Sequence, residues 1–310
     1  MNVSDLGEFG LIDRIRKYAP INAGVIKGIG DDTAVLRHTK DKYLLFTTDM
    51  LVEGTHFTCR MGGTAIGHKA LACSISDIAA MGGAPTHAVV SLGVAPKIPV
   101  RFVEDIYKGM AVLAKRFGVS IVGGDTVRSD KAMINVALLG EVAKKHLVTR
   151  SGAKSGDWIF VTGTLGRSLA TGKHLNFTPR LKEAWFLVKN FKPSAMIDIS
   201  DGLAGDLNHI LKASKVGARL WDNAVPLTKG ATLTQALTDG EDFELLFTLK
   251  ESDAMRLLKW SRHSLRSVGI PTEHKRVSGQ NKRRSWFFYP IGEIIADTRE
   301  QIHARSYTHF

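Results

Sequence analysis

The sequence is poor in cysteine: it has two among 310 residues, Cys59 and Cys73, and neither sits in C-x-x-C spacing. That excludes a disulfide framework and a zinc ribbon, and it predicts a reducing, cytoplasmic setting. No apolar run is long enough to cross a bilayer, so no membrane partner is expected. The first residues include Asn2, Ser4, Asp5 and Glu8 and form neither a basic nor an apolar leader region. The common nucleotide fingerprints are missing too. Gly62 to Lys69 has the glycine spacing of a P-loop, but His68 stands where the lysine belongs and Ala70 follows Lys69. The turn at Gly28 and Gly30 does not continue into G-x-G-x-x-G. Any ATP site is therefore of another kind. No internal repeat or low-complexity tract is present.

What is there is ordinary in bulk: 44% hydrophobic and 23% charged residues, as in a globular protein. At about 150 residues per domain the length predicts two domains. The net charge is +12, from 42 Lys and Arg against 30 Asp and Glu. Such a balance attracts polyanions. The basic residues form no aromatic-interleaved stripe, so nucleic acid is not expected as a partner; the densest run is Lys282-Arg283-Arg284 beside Trp286.

Apolar periodicity predicts helices over 9–18, 64–81 and 102–117, the last two stopped by Gly82-Gly83 and Gly118. Strands are predicted at 33–36, 43–48, 86–94, 119–122 and 133–139, with Gly123-Gly124 as a turn. The polar stretch 144–157 predicts a domain boundary, giving segments 1–143 and 144–310. In the second segment strands are expected at 158–162, 196–199 and 245–249, and helices at 167–173, 181–190, 203–213 and 252–260. Residues 264–285 show no pattern. Strands and helices mix without regular alternation, so the fold class is α+β.

The chemistry lies in where aspartates fall. Asp31 and Asp32 follow Gly30. Asp49 ends an apolar run after Thr47 and Thr48. Asp77 sits late in the 64–81 helix, Asp125 follows Gly123-Gly124, and Asp198 and Asp201 flank a strand-to-helix junction around Ser200. Asp31, Asp32 and Asp125 also suit Asx turns, and Ser200 or Asp201 suits a helix N-cap. Asp77 fits neither role: a carboxylate near a helix C-terminus opposes the macrodipole, at about 0.3–1 kcal/mol. If these groups converge they repel and need a cation. The ligands are oxygen throughout, which favours Mg²⁺ or Mn²⁺ over zinc. Mg²⁺ held by sparse carboxylates completes its shell with water and phosphates, which points to phosphoryl transfer.

Taken in order, several segments resemble the thiamine-monophosphate kinase family. They are Gly28-Ile29-Gly30-Asp31-Asp32, the run from Thr47 to Phe57, Ser76 to Gly82, Gly123-Gly124-Asp125-Thr126, Thr149 to Ala153, Ile197 to Leu203 and Gly240 to Leu245. The closing His309-Phe310 is similar as well. The resemblance implies ATP-dependent conversion of thiamine monophosphate to thiamine diphosphate. It also implies the two-domain fold of aminoimidazole ribonucleotide synthetase, with an N-terminal α/β domain that forms a homodimer and a C-terminal α+β domain.

Position by position, the resemblance implies several magnesium ions held by Asp32, Thr47, Thr48, Asp49, Asp77, Asp125, Asp198 and Asp201. It puts Tyr107, Gly124, Asp125, Arg150 and Ser200 on ATP, with Asp49, Asp125 and Arg150 nearest the transfer. His56 and Glu241 would meet the thiamine phosphate, and Ala304 stands where the family carries an aromatic residue over the substrate ring. From spacing alone His56 is as readily a histidine satisfied at a strand end. Two other readings are another ATP-dependent enzyme of the same superfamily and a basic nucleic-acid binder.

Overall fold

The computed structural model describes residues 2–267 and 287–298. Ala304, His309-Phe310, Lys282 to Arg284 and Trp286 lie outside the described residues.

The first sheet is built from β1 (Val25–Lys27), β2 (Ala34–Arg37), β3 (Lys42–Val52), β4 (Ala84–Val94), β5 (Ser120–Arg128) and β6 (Met133–Ala143), in the order β1-β2-β3-β6-β4-β5. Every pairing is antiparallel except β4 with β5. Alternation along β3 and β6 turns Leu45, Leu51, Ile134, Val136 and Leu138 inward. Two helices join that core, α2 (Gly63–Ala80) and α3 (Val100–Phe117), while α1 (Val3–Arg16) carries no buried residue.

α2 is apolar nearly all round, the composition of a helix buried on every side. It approaches α3 at backbone distance. A Cβ on Gly67 would lie 1.9 Å from the Ile106 carbonyl oxygen, and one on Gly109 would lie 2.0 Å from that of Thr64, so both positions require glycine.

The second sheet comprises β7 (Asp157–Val161), β8 (Ala195–Asp198), β9 (Gly217–Leu220), β10 (Leu245–Lys250) and β11 (Tyr289–Ile295), ordered β8-β10-β7-β11-β9 and wholly antiparallel. Between its strands run two short helices, α4 (Ser168–Thr171) and α5 (Lys173–Asn176), then α6 (Leu181–Asn190), α7 (Leu203–Ser214), α8 (Leu233–Thr238) and α9 (Glu251–Ser267). One apolar cluster joins the sheet to α7; another joins it to α6 and α9. Ala79 and Ala80, at the end of α2, belong to the latter. Trp185 on α6 donates its indole N–H to the Gly83 carbonyl at 2.6 Å. The end of α2 is thus wedged between the two sheets.

The fold is α+β, as the pattern predicts. Three local expectations change. β3 continues past Asp49 to Val52, because its whole length pairs with β6. Gly123-Gly124 is not a turn: both residues lie inside β5, where the register with β4 shifts between Ala88 and Val89. A Cβ on Gly124 would sit 1.8 Å from the Val90 carbonyl oxygen, so a strand interior needs glycine there. In the second sheet β9, β11 and α8 were not expected; β9 is a four-residue strand of mixed burial.

Candidate active site

Three carboxylates meet between the sheets. Asp32 precedes β2, Asp77 lies in the last turn of α2 and Asp198 ends β8; each offers an oxygen within 4.8 Å of the others. Burial pushes the Asp32 carboxyl up to about 6, against the pull of Arg150. Burial and the charge of Asp32 push Asp198 up to about 8. Asp77 is driven well up by burial and then by Asp49, Asp198 and Asp32. These four acids therefore feel one another, and Asp49 is itself raised by burial.

Three of the four, Asp49, Asp77 and Asp32, are aimed by a neighbour. Ser74, from the middle of α2, donates to Asp49 Oδ2 at 2.6 Å, and Thr47 donates to Asp77. Arg150, in the segment between β6 and β7, donates from Nη2 to Asp32 Oδ1 at 2.7 Å and from Nε at 3.3 Å. Its backbone N–H donates to Asp31 Oδ1 at 3.0 Å.

Among the described residues Asp32 Oδ2 and Thr33 Oγ1 are buried without a hydrogen-bond partner. Orphaned oxygens beside mutually repelling carboxylates are what a hard divalent cation satisfies, so this donor set fits Mg²⁺.

A cavity of about 1050 Å³ opens beside this cluster; Asp32, Asp49, Asp77 and Arg150 line it and Asp198 does not. Its walls include Asp32, Thr47, Thr48, Asp49, Asp77, Arg150, Ser200 and Asp201, with Phe9 and Ile12 of α1 on one side and His56, Glu241 and Phe243 on another. Thr48 faces the opposite side of β3 from Thr47 and donates to Asn135 Oδ1 at 3.0 Å. Asp201 belongs to a second group with Asp206 and His209, whose ligand atoms lie within 4.8 Å of one another. The N-cap of α7 is Gly202, without a side-chain cap, so neither Ser200 nor Asp201 performs that role. Burial, Arg150 and Lys212 hold the His209 imidazole down at about 4, which keeps it neutral.

At the far wall His56 Nδ1 accepts the Val52 backbone N–H at 3.0 Å, which puts the ring proton on Nε2. Lys69, fully buried on α2, donates to Glu241 Oε2 at 2.5 Å and to the His56 carbonyl at 2.8 Å.

Tyr107, Gly124 and Asp125 do not line the cavity. Asp125 is aligned with Ser91, Asn135 and Met50 across the sheet, on the face opposite Asp49. From β3 to β5 there are three strand steps, about 14 Å at the usual interstrand spacing. Lys69, Ser74, Asp206 and His209 were not among the predicted residues. The first two are hidden in an apolar helix; the last two carry a weak signal, an acid and a histidine three apart on one helix face.

Residues 30–142 match the family described as AIR synthase related protein, N-terminal domain. AaThiL complexed with AMPPCP and TMP superposes with a TM-score of 0.82 at 31% identity, covering 100% of this chain and 99% of that one. Fold and carboxylate cleft together define an AIR synthase-like two-sheet protein with an acidic site between the sheets. Among curated relatives, the thiamine-monophosphate kinase of Aquifex aeolicus is 36% identical over 277 residues, 80% of this chain and 87% of the relative. That of Buchnera aphidicola subsp. Schizaphis graminum is 34% identical over 282 residues, 82% and 86%. The chain belongs to the thiamine-monophosphate kinase family.

Proposed function

We propose that this chain transfers the terminal phosphoryl group of ATP to thiamine monophosphate, yielding thiamine diphosphate and ADP, with Mg²⁺ held by Asp32, Asp49, Asp77 and Asp198. The observation that carries the reading is the convergence of Asp32, Asp77 and Asp198 beside Arg150 in a cleft between two sheets. Two relatives support the substrates: an Aquifex aeolicus enzyme named for thiamine monophosphate, and a 31%-identical structure holding AMPPCP and TMP.

The acceptor is itself a phosphate monoester. With a second pKa of about 6 its oxygen is largely ionised at neutral pH, so no protein base is required. The chain must instead bring two polyanions together in line. Bound Mg²⁺ supplies charge neutralisation on the phosphates. Arg150 adds a fixed guanidinium beside Asp32, and Ser200 and Asp201 border the same space. His56 and Glu241 form the acceptor wall. His56, with Nδ1 taken up by the Val52 N–H, presents Nε2 to the acceptor as a donor and not as a base.

The active unit in this reading is a homodimer. Phe46 (43% exposed), Met50 (56%), Val89 (42%) and Val127 (52%) leave the first sheet with an open apolar outer face, beside the exposed edge strand β5. A second copy laid on that face covers it, and brings its own Gly124 and Asp125 toward the first copy's cleft. This accounts for residues that carry family motifs yet stand apart within one chain. The division at 143–144 assigns one sheet to each domain. The free thiols Cys59 and Cys73 suit a reducing cytoplasm. Among the described residues no helix is long and apolar enough to cross a membrane.

The deciding assay is purified protein with ATP, Mg²⁺ and thiamine monophosphate, separated by chromatography. Mg²⁺-dependent thiamine diphosphate is expected. ATP binding without that product would overturn the acceptor assignment.

A further inference from the structure

Lys69 lies on α2 about two turns before Asp77. Its side chain is wholly excluded from solvent, and it does not line the cavity. An ammonium group is buried at a cost of several kcal/mol unless it is paired. Here the pairing joins two residues that do line the cavity and that come from different halves of the molecule. Glu241 sits in the segment between α8 and β10; His56 follows β3.

The Glu241 segment is held in an unusual form. Glu241 and Phe243 both adopt left-handed backbone conformations, at φ 65° and 48°, which a non-glycine residue takes only where its surroundings hold it there. Their N–H groups donate to the Ser200 and Ile199 carbonyls at 2.6 and 2.7 Å. The Phe243 ring stacks on Phe177, with centroids 4.1 Å apart. Backbone and ring thus fix the segment, and Lys69 fixes the carboxylate.

We infer that Lys69 is a positioning residue for the acceptor: through Glu241 Oε2 and the His56 carbonyl it locks the two halves of the acceptor wall into one surface. The inference rests on the reading of His56 and Glu241 as acceptor contacts. It takes α2 beyond its carboxylate: one helix carries a metal-site acid at its end and, two turns earlier, sets the wall formed by His56 and Glu241.

The test is steady-state kinetics of Lys69→Met and Lys69→Gln, alone and combined with Glu241→Gln, with thermal denaturation to establish folding. Methionine removes both donors; glutamine keeps a neutral donor and is the variant to read if methionine leaves Glu241 too unbalanced to fold. The expected result is a KM for thiamine monophosphate raised about tenfold or more, with the KM for ATP within about twofold of wild type. In the Glu241→Gln background the Lys69 change is expected to add little, because both act on one contact. A folded variant with unchanged acceptor KM, equal weakening of both substrates, or full additivity would overturn the inference. So would failure of both variants to fold, which would assign Lys69 to the core alone. Wild-type protein that neither binds nor phosphorylates thiamine monophosphate removes the functional reading and this inference together. An active wild type with insensitive Lys69 variants removes only the latter.

Discussion

Arg150 and Asp32 are joined by two donors of one guanidinium, Nη2 at 2.7 Å and Nε at 3.3 Å, on a single carboxylate oxygen. Among the described residues the other oxygen of Asp32 is buried without a hydrogen-bond partner. Arg150 therefore fixes which face of Asp32 is left for a cation. Arg150→Met is expected to lower kcat by about 10²-fold or more, the loss seen when a preorganised charge at a reacting centre is removed. Arg150→Lys keeps the charge but loses the fork, so it should recover only part of the rate. Steady-state kinetics on folded variants decide this; a kcat within a few-fold of wild type for the methionine variant would remove Arg150 from the mechanism.

Asp49 is aimed by Ser74 at 2.6 Å and raised by burial. Asp49→Asn keeps the shape and the Ser74 hydrogen bond while removing a negative charge. Turnover is expected to fall by more than about 10²-fold, with weaker Mg²⁺ binding by titration calorimetry. Unchanged Mg²⁺ affinity would show that Asp49 is no ligand.

Much of this was legible beforehand, and the reason differs by residue. Asp77 gave itself away, because a carboxylate late in an apolar helix has no local use. α6 was readable to the residue from its periodicity. By contrast Gly123-Gly124 reads locally as a turn, and only the close approach of β4 makes it strand. Lys69 was invisible because its partners lie 13 and 172 residues away, and nothing in a sequence marks a lysine as buried. The separation of Asp125 from Asp49 was equally hidden, since strand order and not chain order sets it.

Without metal, the acidic cluster makes stability depend on pH in a defined direction. Asp198, pushed up to about 8, and Asp77, raised well above the usual carboxylate range by burial and its acidic neighbours, bind protons in the folded state that the unfolded chain releases near 4. Stability from these groups is complete at low pH and declines as pH rises through the folded pKa. Asp32, at about 6, completes its loss earlier. Histidines lowered by burial, such as His209 at about 4, act oppositely, but only while the unfolded imidazole titrates near 6.5. Between about pH 7 and 9 the carboxylates lower stability, joined toward pH 9 by Cys59 and Cys73, whose thiols burial also raises. The melting temperature of protein in EDTA is expected to fall by several degrees across that range. Saturating Mg²⁺ should flatten the curve and stabilise most at high pH, where no proton competes. A metal-free melting temperature that rises from pH 7 to 9 would contradict the buried-acid reading.

The placement of Asp125 offers the sharpest check of the shared site. If Asp125 serves the cleft of a second copy, Asp49→Asn and Asp125→Asn disable the same site from different chains. A mixed dimer then holds one site with both defects and one with neither. Random mixing makes about half of the dimers mixed, each with one good site of two, so two inactive proteins should yield about a quarter of wild-type activity. Were Asp125 to act within its own chain, every site in the mixture would carry one defect and activity would stay at background. Light scattering on the same samples fixes the oligomeric state. Val89→Asp, on the apolar outer face of β4, should shift it to monomer and abolish turnover while leaving the buried core of the first sheet untouched.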